Sequence, residues 1–253
     1  MWVITLNDWV AAGMVLLGIL TLLFVRLFTQ KAPYDRLAKV SAWKSLGMLM
    51  NQTAEQGKRL TLGLGSIMLM PQAQPGSLLG LSILRMVARH STFNDHPSQT
   101  VSGDGSLALL SQMILHGVYA NSVVPELFKP DDAVLCGTSP SAYIAGLMPE
   151  VNMPYSSGVV LAGHQGVLSA LVLDLADRKK LESVSGTDDI TAQAAQFVSP
   201  GILTIGEDVY TPAASLETDA GSAAHVRAAD FLRVFLTLAL LTGAILKLVG
   251  VWP

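Results

Sequence analysis

The residues of this chain that are best placed to do chemistry stand at the ends of short apolar runs. His164 follows Val159, Val160, Leu161 and Ala162 and precedes Gly166. A histidine at such a place can serve as a general base or polarise a carbonyl, because its ring titrates near neutrality. Cys136 closes the run Ala133, Val134 and Leu135. A thiol beside a helix N-terminus can have a lowered pKa and become nucleophilic. Both residues also have plainer uses: a histidine there can be structural, and a lone cysteine packs well as a small apolar group.

Other small and polar residues recur at equivalent places. Gly63, Gly65 and Ser66 end one run; Asp104 lies between two glycines after another; Thr138 and Ser139 follow Cys136; Asp188 and Asp189 follow Gly186 and Thr187; Glu207 follows Gly206. Glycine lets a ligand approach the backbone closely, and helix N-termini offer free N–H groups to an anion. Gly63, Gly65, Ser66, Asp104, Thr138, Ser139, His164, Asp188 and Glu207 are therefore the candidate lining of a ligand cleft. The competing reading is turn and cap chemistry. Every parallel strand-to-helix unit needs glycine in its turn and Ser, Thr or Asp at its N-cap. Ser106, Ser139, Ser141 and Asp189 are candidate caps of this kind.

Sharper motifs are missing. Gly63-Leu64-Gly65-Ser66 does not continue to G-x-G-x-x-G, because Met68 stands where the third glycine would be. Neither a P-loop nor a G-x-S-x-G nucleophile elbow occurs. The pairs Asp131-Asp132 and Asp188-Asp189 have no third ligand at helical spacing, and no Cys/His cluster of zinc type exists. The residues thus assign no catalytic role and no cofactor.

The elements that must position these residues alternate. Short β-rich runs over 60–64, 99–102, 133–136, 158–162, 182–184 and 202–205 predict strands. Longer stretches over 76–90, 106–120, 141–148, 166–178 and 189–197 predict helices, and 34–57 predicts a preceding helix that Gly57 stops. Five strand-to-helix alternations argue for α/β: an open, mostly parallel, Rossmann-like sheet of about six strands with helices on both faces and right-handed crossovers. Ligands of such sheets bind beyond the carboxyl ends of the strands, where the candidate residues fall. The segments 70–76 and 212–222 read as loops.

The chain has 253 residues, 51% apolar and only 14% charged, against about 25% charged in ordinary soluble domains. That excludes a disordered chain. A net charge of −3 provides no basic field for nucleic acid. Much of the apolar excess lies at the ends. Residues 9–25 run for 17 positions without a charge, close to the roughly 20 needed to cross a bilayer. No basic residue precedes the run and no small-x-small cleavage site follows it, so a retained anchor over 1–29 is expected rather than a signal peptide. The run 231–253 reads either as a second span or as a helix packed on the domain. Its Arg233 and Lys247 stand about 21 Å apart on a helix and would snorkel to opposite interfaces, with Trp252 as an anchor. Lys and Arg cluster on the inner side of both runs, from Arg26 to Lys44 and at Arg227 and Arg233. The positive-inside rule then puts the middle of the chain in the cytoplasm, with both termini outside. The organisation expected is an anchor over 1–29, a juxtamembrane helix over 30–58, an α/β domain over 59–211, a linker over 212–230 and a second span over 231–253.

This layout resembles an uncharacterised prokaryotic membrane-protein family with an N-terminal anchor, a cytoplasmic Rossmann-like domain and a C-terminal span. The resemblance is carried by QTAEQGK at 52–58, LGLGS at 62–66, LGLSIL at 79–84, SPSAYIAG at 139–146 and IGED at 205–208. It implies fold and topology, with no reaction or ligand and no catalytic residue to carry over.

Two functions remain open at this point. One is a scaffold subunit that sits in the lipid bilayer and assembles with copies of itself or with other membrane proteins. Low charge and small residues in the apolar runs (Gly13, Gly18, Gly243, Ala244) point that way. The other is a sensor or enzyme that binds a small anionic or nucleotide-like molecule in the strand-end cleft.

Overall fold

The structure, a computed structural model, describes residues 41–66, 74–212 and 220–248, together with helical residues scattered over 13–24. It divides the chain into two units, 40–217 and the joined ends 1–39 with 218–253.

The first unit is an α/β sheet fold. Helix α1 (Ser41–Glu55) leads into β1 (Arg59–Gly65), then α2 (Pro75–Ser91), β2 (Gln99–Ser102), α3 (Gly105–Ala120) and β3 (Ala133–Leu135). The second half runs α4 (Pro140–Val151), β4 (Ser156–His164), α5 (Ser169–Arg178), β5 (Glu182–Thr187), α6 (Ile190–Gln196) and β6 (Ile202–Thr204). All six strands are parallel, in the order β3-β2-β1-β4-β5-β6. The expected strands and helices are all present, with ends moved by a few residues. Of the predicted helix over 34–57, residues 41–55 are helical and 34–40 lie outside the described set. Gly57 takes a left-handed φ of 63° and turns the chain into β1.

The apolar pattern explains the layers. Leu60, Leu62 and Leu64 of β1, with Val160 and Ala162 of β4, point into one core against α1, α2 and α3. Val159 and Leu161 of β4 point the other way, into a core with Tyr143, Ile144 and Leu147 of α4 and Val172 and Leu173 of α5. A strand covered on both faces must be apolar at successive positions, as 159–162 is. The α2 helix lies close on the sheet because Gly80 meets the Ala162 carbonyl, which a Cβ would approach to 2.7 Å.

The first turn of α1 and the turn after β6 meet at one edge of the sheet. Trp43, in the first turn of α1, is fully buried, and its indole N–H donates to the Asp208 carbonyl at 2.8 Å. Asp208 belongs to the 3-10 turn Gly206–Tyr210 that follows β6. The start of α1 and the exit of β6 are thus pinned together beside the carboxyl ends of the strands.

In the second unit, α7 (Ala220–Leu248) is a 29-residue helix. It begins inside the segment 212–222 that reads as a loop, since Ala220, Ala223, Ala224, Ala228 and Ala229 favour helix. Phe231, Val234, Leu236, Leu238, Leu240 and Leu241 are exposed along it, and Arg233 pairs with Asp230 at 3.8 Å. Among the described residues, no helix is long and apolar enough to cross a membrane. Most of 1–29, and 249–253 at the end of the second expected span, lie outside that set.

Candidate functional site

In this strand order the chain reverses between β1 and β4, and the crevice beyond their carboxyl ends is the place where open α/β sheets bind ligands. His164 ends β4 and Asp188 follows β5. The register pairs Gly163 with Thr187, so the next residues, His164 and Asp188, fall side by side. His164 Nδ1 lies 2.6 Å from Asp188 Oδ1. The other carboxylate oxygen, Oδ2, accepts the backbone N–H of Gly76 at 2.9 Å. Gly76 is in the first turn of α2. Asp188 therefore occupies the helix N-terminus that a phosphate group would use in a nucleotide-binding relative of this architecture. The fit is close: a Cβ on Gly76 would lie 2.6 Å from the Asp188 carboxyl. The two side chains are only 18% and 10% exposed.

A second network fills the crevice below them. The Tyr143 hydroxyl accepts the Gly65 N–H at 3.1 Å and donates to Gln165 Oε1 at 3.2 Å. Gln165 Nε2 donates to the Gly63 carbonyl at 2.8 Å, and its backbone N–H donates to Thr187 Oγ1 at 3.0 Å. Tyr143 and Gln165 are both buried. Burial pushes the Tyr143 phenol well above its ordinary pKa, against the smaller opposing effect of its bonds to Gly65 and Gln165. It is a neutral donor and acceptor in a structural network. The space beside Gly63 is taken by Tyr143, Leu161 and Leu147. Gly65, at φ 97°, stands against the His164 carbonyl, and Ser66 is buried beside Gly103. These three residues are closely packed by their neighbours.

The remaining candidates separate. Asp104 is the N-cap of α3, accepting from the Leu107 N–H at 3.0 Å and from the Ser106 hydroxyl. Ser139 caps α4 through the Ala142 N–H at 3.2 Å, and Thr138 beside it is exposed. Asp189 caps α6, accepting the Thr191 N–H at 2.9 Å and its hydroxyl at 2.7 Å. Burial opposes its charge, but those Thr191 bonds, the Ala192 N–H and the charge of His164 hold its carboxyl below the usual range. Ser106 and Ser141, expected as caps, instead sit two residues inside their helices and bond to the cap side chains. An N-cap must reach the N–H two or three positions on, and Asp104 and Ser139 are at that spacing. Glu207 lies in the 3-10 turn after β6, two strands away from the β1–β4 crevice.

Cys136 is not activated. Burial, and then the nearby Glu150 charge, push its thiol up rather than down. It is packed under α4, where a Cβ on Gly146 would come within 2.6 Å of its sulfur. Among the described residues, no three His, Cys, Asp or Glu side chains are grouped to hold a metal.

The parallel sheet, its strand order and its switch point define the class: a doubly wound, Rossmann-like α/β protein. Beyond that class, no protein-family description, curated protein or solved structure matches the chain.

Proposed function

We propose that the protein is a membrane-anchored structural subunit that assembles with copies of itself, and that its α/β unit is a docking domain rather than a nucleotide-binding one. The observation that carries this is Asp188 on the Gly76 N–H. An incoming phosphate would meet a fixed carboxylate at the same donor. Two unit charges about 4 Å apart repel by about 4 kcal/mol at an effective dielectric near 20. Ser139 and Asp189 are committed to caps and Tyr143 and Gln165 to their own network, and His164, which could offset that repulsion, is already paired with Asp188.

Docking has its own support. Phe93, Val123, Ile190, Phe197 and Val198 all face solvent on the α/β unit. Phe93 and Val123 line one groove, and Phe197 and Val198 are adjacent; apolar residues exposed together, rather than singly, mark interaction surfaces. Membrane anchoring is supported by the uncharged run 9–25 and by the apolar side chains exposed along α7. The charge distribution favours the α/β unit in the cytoplasm and both termini outside, and the family resemblance adds the plasma membrane of a prokaryote.

The second reading, a small anionic or nucleotide-like ligand at the strand ends, draws on one feature. Asp188 orients the His164 ring through Nδ1, an arrangement that elsewhere readies the other ring nitrogen for proton transfer. The two readings part on one experiment with the full chain in mild detergent. Light scattering and electron microscopy should give a multi-copy particle, and pyrophosphate should leave thermal stability unchanged. A monomer stabilised by pyrophosphate would reverse the choice.

A further inference from the structure

We propose that the α/β unit carries a conformational relay: a chain of hydrogen bonds joins the β1–β4 switch point to the Trp43–Asp208 bond, so that a change at the switch point tightens or frees the turn after β6. The relay concerns bonds inside the α/β unit alone. It goes beyond the assembly reading and does not rest on it.

The bonds run along the carboxyl ends of neighbouring strands. Tyr143 of α4 accepts the Gly65 N–H at the end of β1 and donates to Gln165, behind β4. The Gln165 backbone N–H donates to Thr187 Oγ1 at the end of β5, at 3.0 Å. The Asp189 N–H shares that oxygen at 3.3 Å. The Thr187 carbonyl accepts Gln193 Nε2 of α6 at 2.6 Å. Gln193 Oε1 in turn accepts the Gly206 N–H at 3.3 Å, where the 3-10 turn after β6 begins. In the same turn the Asp208 carbonyl accepts the Trp43 indole N–H.

Each amide can bond in only one sense. Turned over, Gln193 would set its oxygen on the Thr187 carbonyl and its NH2 on the Gly206 N–H, acceptor on acceptor and donor on donor. Gln165 is held likewise, with its Nε2 on the Gly63 carbonyl. Thr187 is the hub, and it is fully buried. It precedes Asp188, which holds His164 and the Gly76 N–H. Trp43 presses on the hub from the α1 side: a Cβ on Gly186 would lie 3.1 Å from the indole ring. A shift of Thr187 therefore reaches Asp188, Gln193 and Trp43 together.

Coupling needs an element with two arrangements that both ends bias. The turn is that element. A 3-10 turn is short and has poorer bond geometry than an α-helix. Gly206 enters it at φ 68°, which glycine adopts at little cost. Gln193 holds its start, Trp43 holds its middle, and Val209 is buried in the core. With the Gln165–Thr187–Gln193 links intact the turn is closed; when they slacken it opens.

The test is hydrogen exchange of the 206–210 turn, read by mass spectrometry on the full chain in mild detergent. Tyr143→Phe, at the far end of the relay, should quicken exchange in the turn by about threefold or more. Gln193→Leu cuts the relay beside the turn and raises the baseline; adding Tyr143→Phe to it should change exchange by less than about 1.5-fold. Ile83→Val, a buried change on α2 outside the relay, should leave the turn unmoved, which separates coupling from general loss of stability. Thr187→Val should open the turn by about fivefold, and Thr187→Ser, which keeps the oxygen, should bring it back to within about twofold of the native chain. The Tyr143–Gln193 cycle and the Thr187 pair each stand without the other if one variant does not fold. A turn unmoved by Tyr143→Phe, equal increments with and without Gln193→Leu, an equal effect of Ile83→Val, or a Thr187→Ser turn as open as that of Thr187→Val would overturn the relay.

Discussion

Replacing Asp188 with alanine removes two bonds at once: the cap on the first turn of α2, at 2.9 Å from the Gly76 N–H, and the partner of His164, at 2.6 Å. Loss of a side-chain cap costs about 1 kcal/mol. A hydrogen bond to a charged group is worth about 1.5–3 kcal/mol. The two share one carboxylate and do not add fully, so the expected loss is about 2–3 kcal/mol. For a unit of this size, that lowers the melting temperature by about 4–12 °C, at roughly 2–4 °C per kcal/mol. Asp188→Asn keeps one acceptor without the charge and should lose about half as much. The assay is calorimetry of the full chain in detergent, with hydrogen exchange at the start of α2 to place the effect. A second arm adds millimolar pyrophosphate. The native protein should be indifferent to it, and Asp188→Ala, with its helix terminus freed, should regain part of the lost stability. Stabilisation of the native protein by pyrophosphate, or an Asp188→Ala variant as stable as the parent, would refute the self-filled switch point.

Three further outcomes follow from the same geometry. Tyr143→Phe leaves the Gly65 N–H and Gln165 Oε1 buried without partners, and urea unfolding should show a loss of about 1–3 kcal/mol; a neutral result would mean water takes the place of the hydroxyl. Trp43→Phe removes the bond to the Asp208 carbonyl, and amide exchange in the 206–210 turn should quicken while the rest of the sheet stays protected. Asp189 has a folded pKa below its ordinary value, so its contribution is complete above the ordinary carboxylate pKa of about 4 and is lost as pH falls through the lowered folded value. Asp189→Asn should therefore flatten the acid limb of a melting-temperature profile below about pH 4 and leave its neutral slope unchanged.

Most of the sheet was legible in the sequence because its central strands are buried on both faces. Runs such as 159–162, bounded by Gly158 and Gly163, have few alternatives to a central parallel strand. The helix starts were legible in kind but not always in residue. Asp104-Gly105-Ser106 offers two capping side chains, and only the reach to the Leu107 N–H selects Asp104. His164 was readable as the residue behind β4, but not its partner. The pairing of Gly163 with Thr187, a property of sheet register, picks Asp188 and leaves Asp189 to cap α6. Tyr143 and Gln165 escaped notice for a similar reason. One looks like an apolar helix residue and the other like part of a turn, and their bonds join α4 to the ends of β1 and β4 across 22 positions or more. Of the two uses open to Cys136, the structure favours the plainer one: it packs against Gly146 of α4, and burial, then the Glu150 charge, push its thiol up.

The most direct test of the account is the copy number of the full chain in a lipid bilayer, measured by mass photometry or electron microscopy of detergent-free membrane particles. The account predicts a particle of several copies joined through their α/β units, unchanged by pyrophosphate. A single copy per particle, in lipid as in detergent, would contradict it.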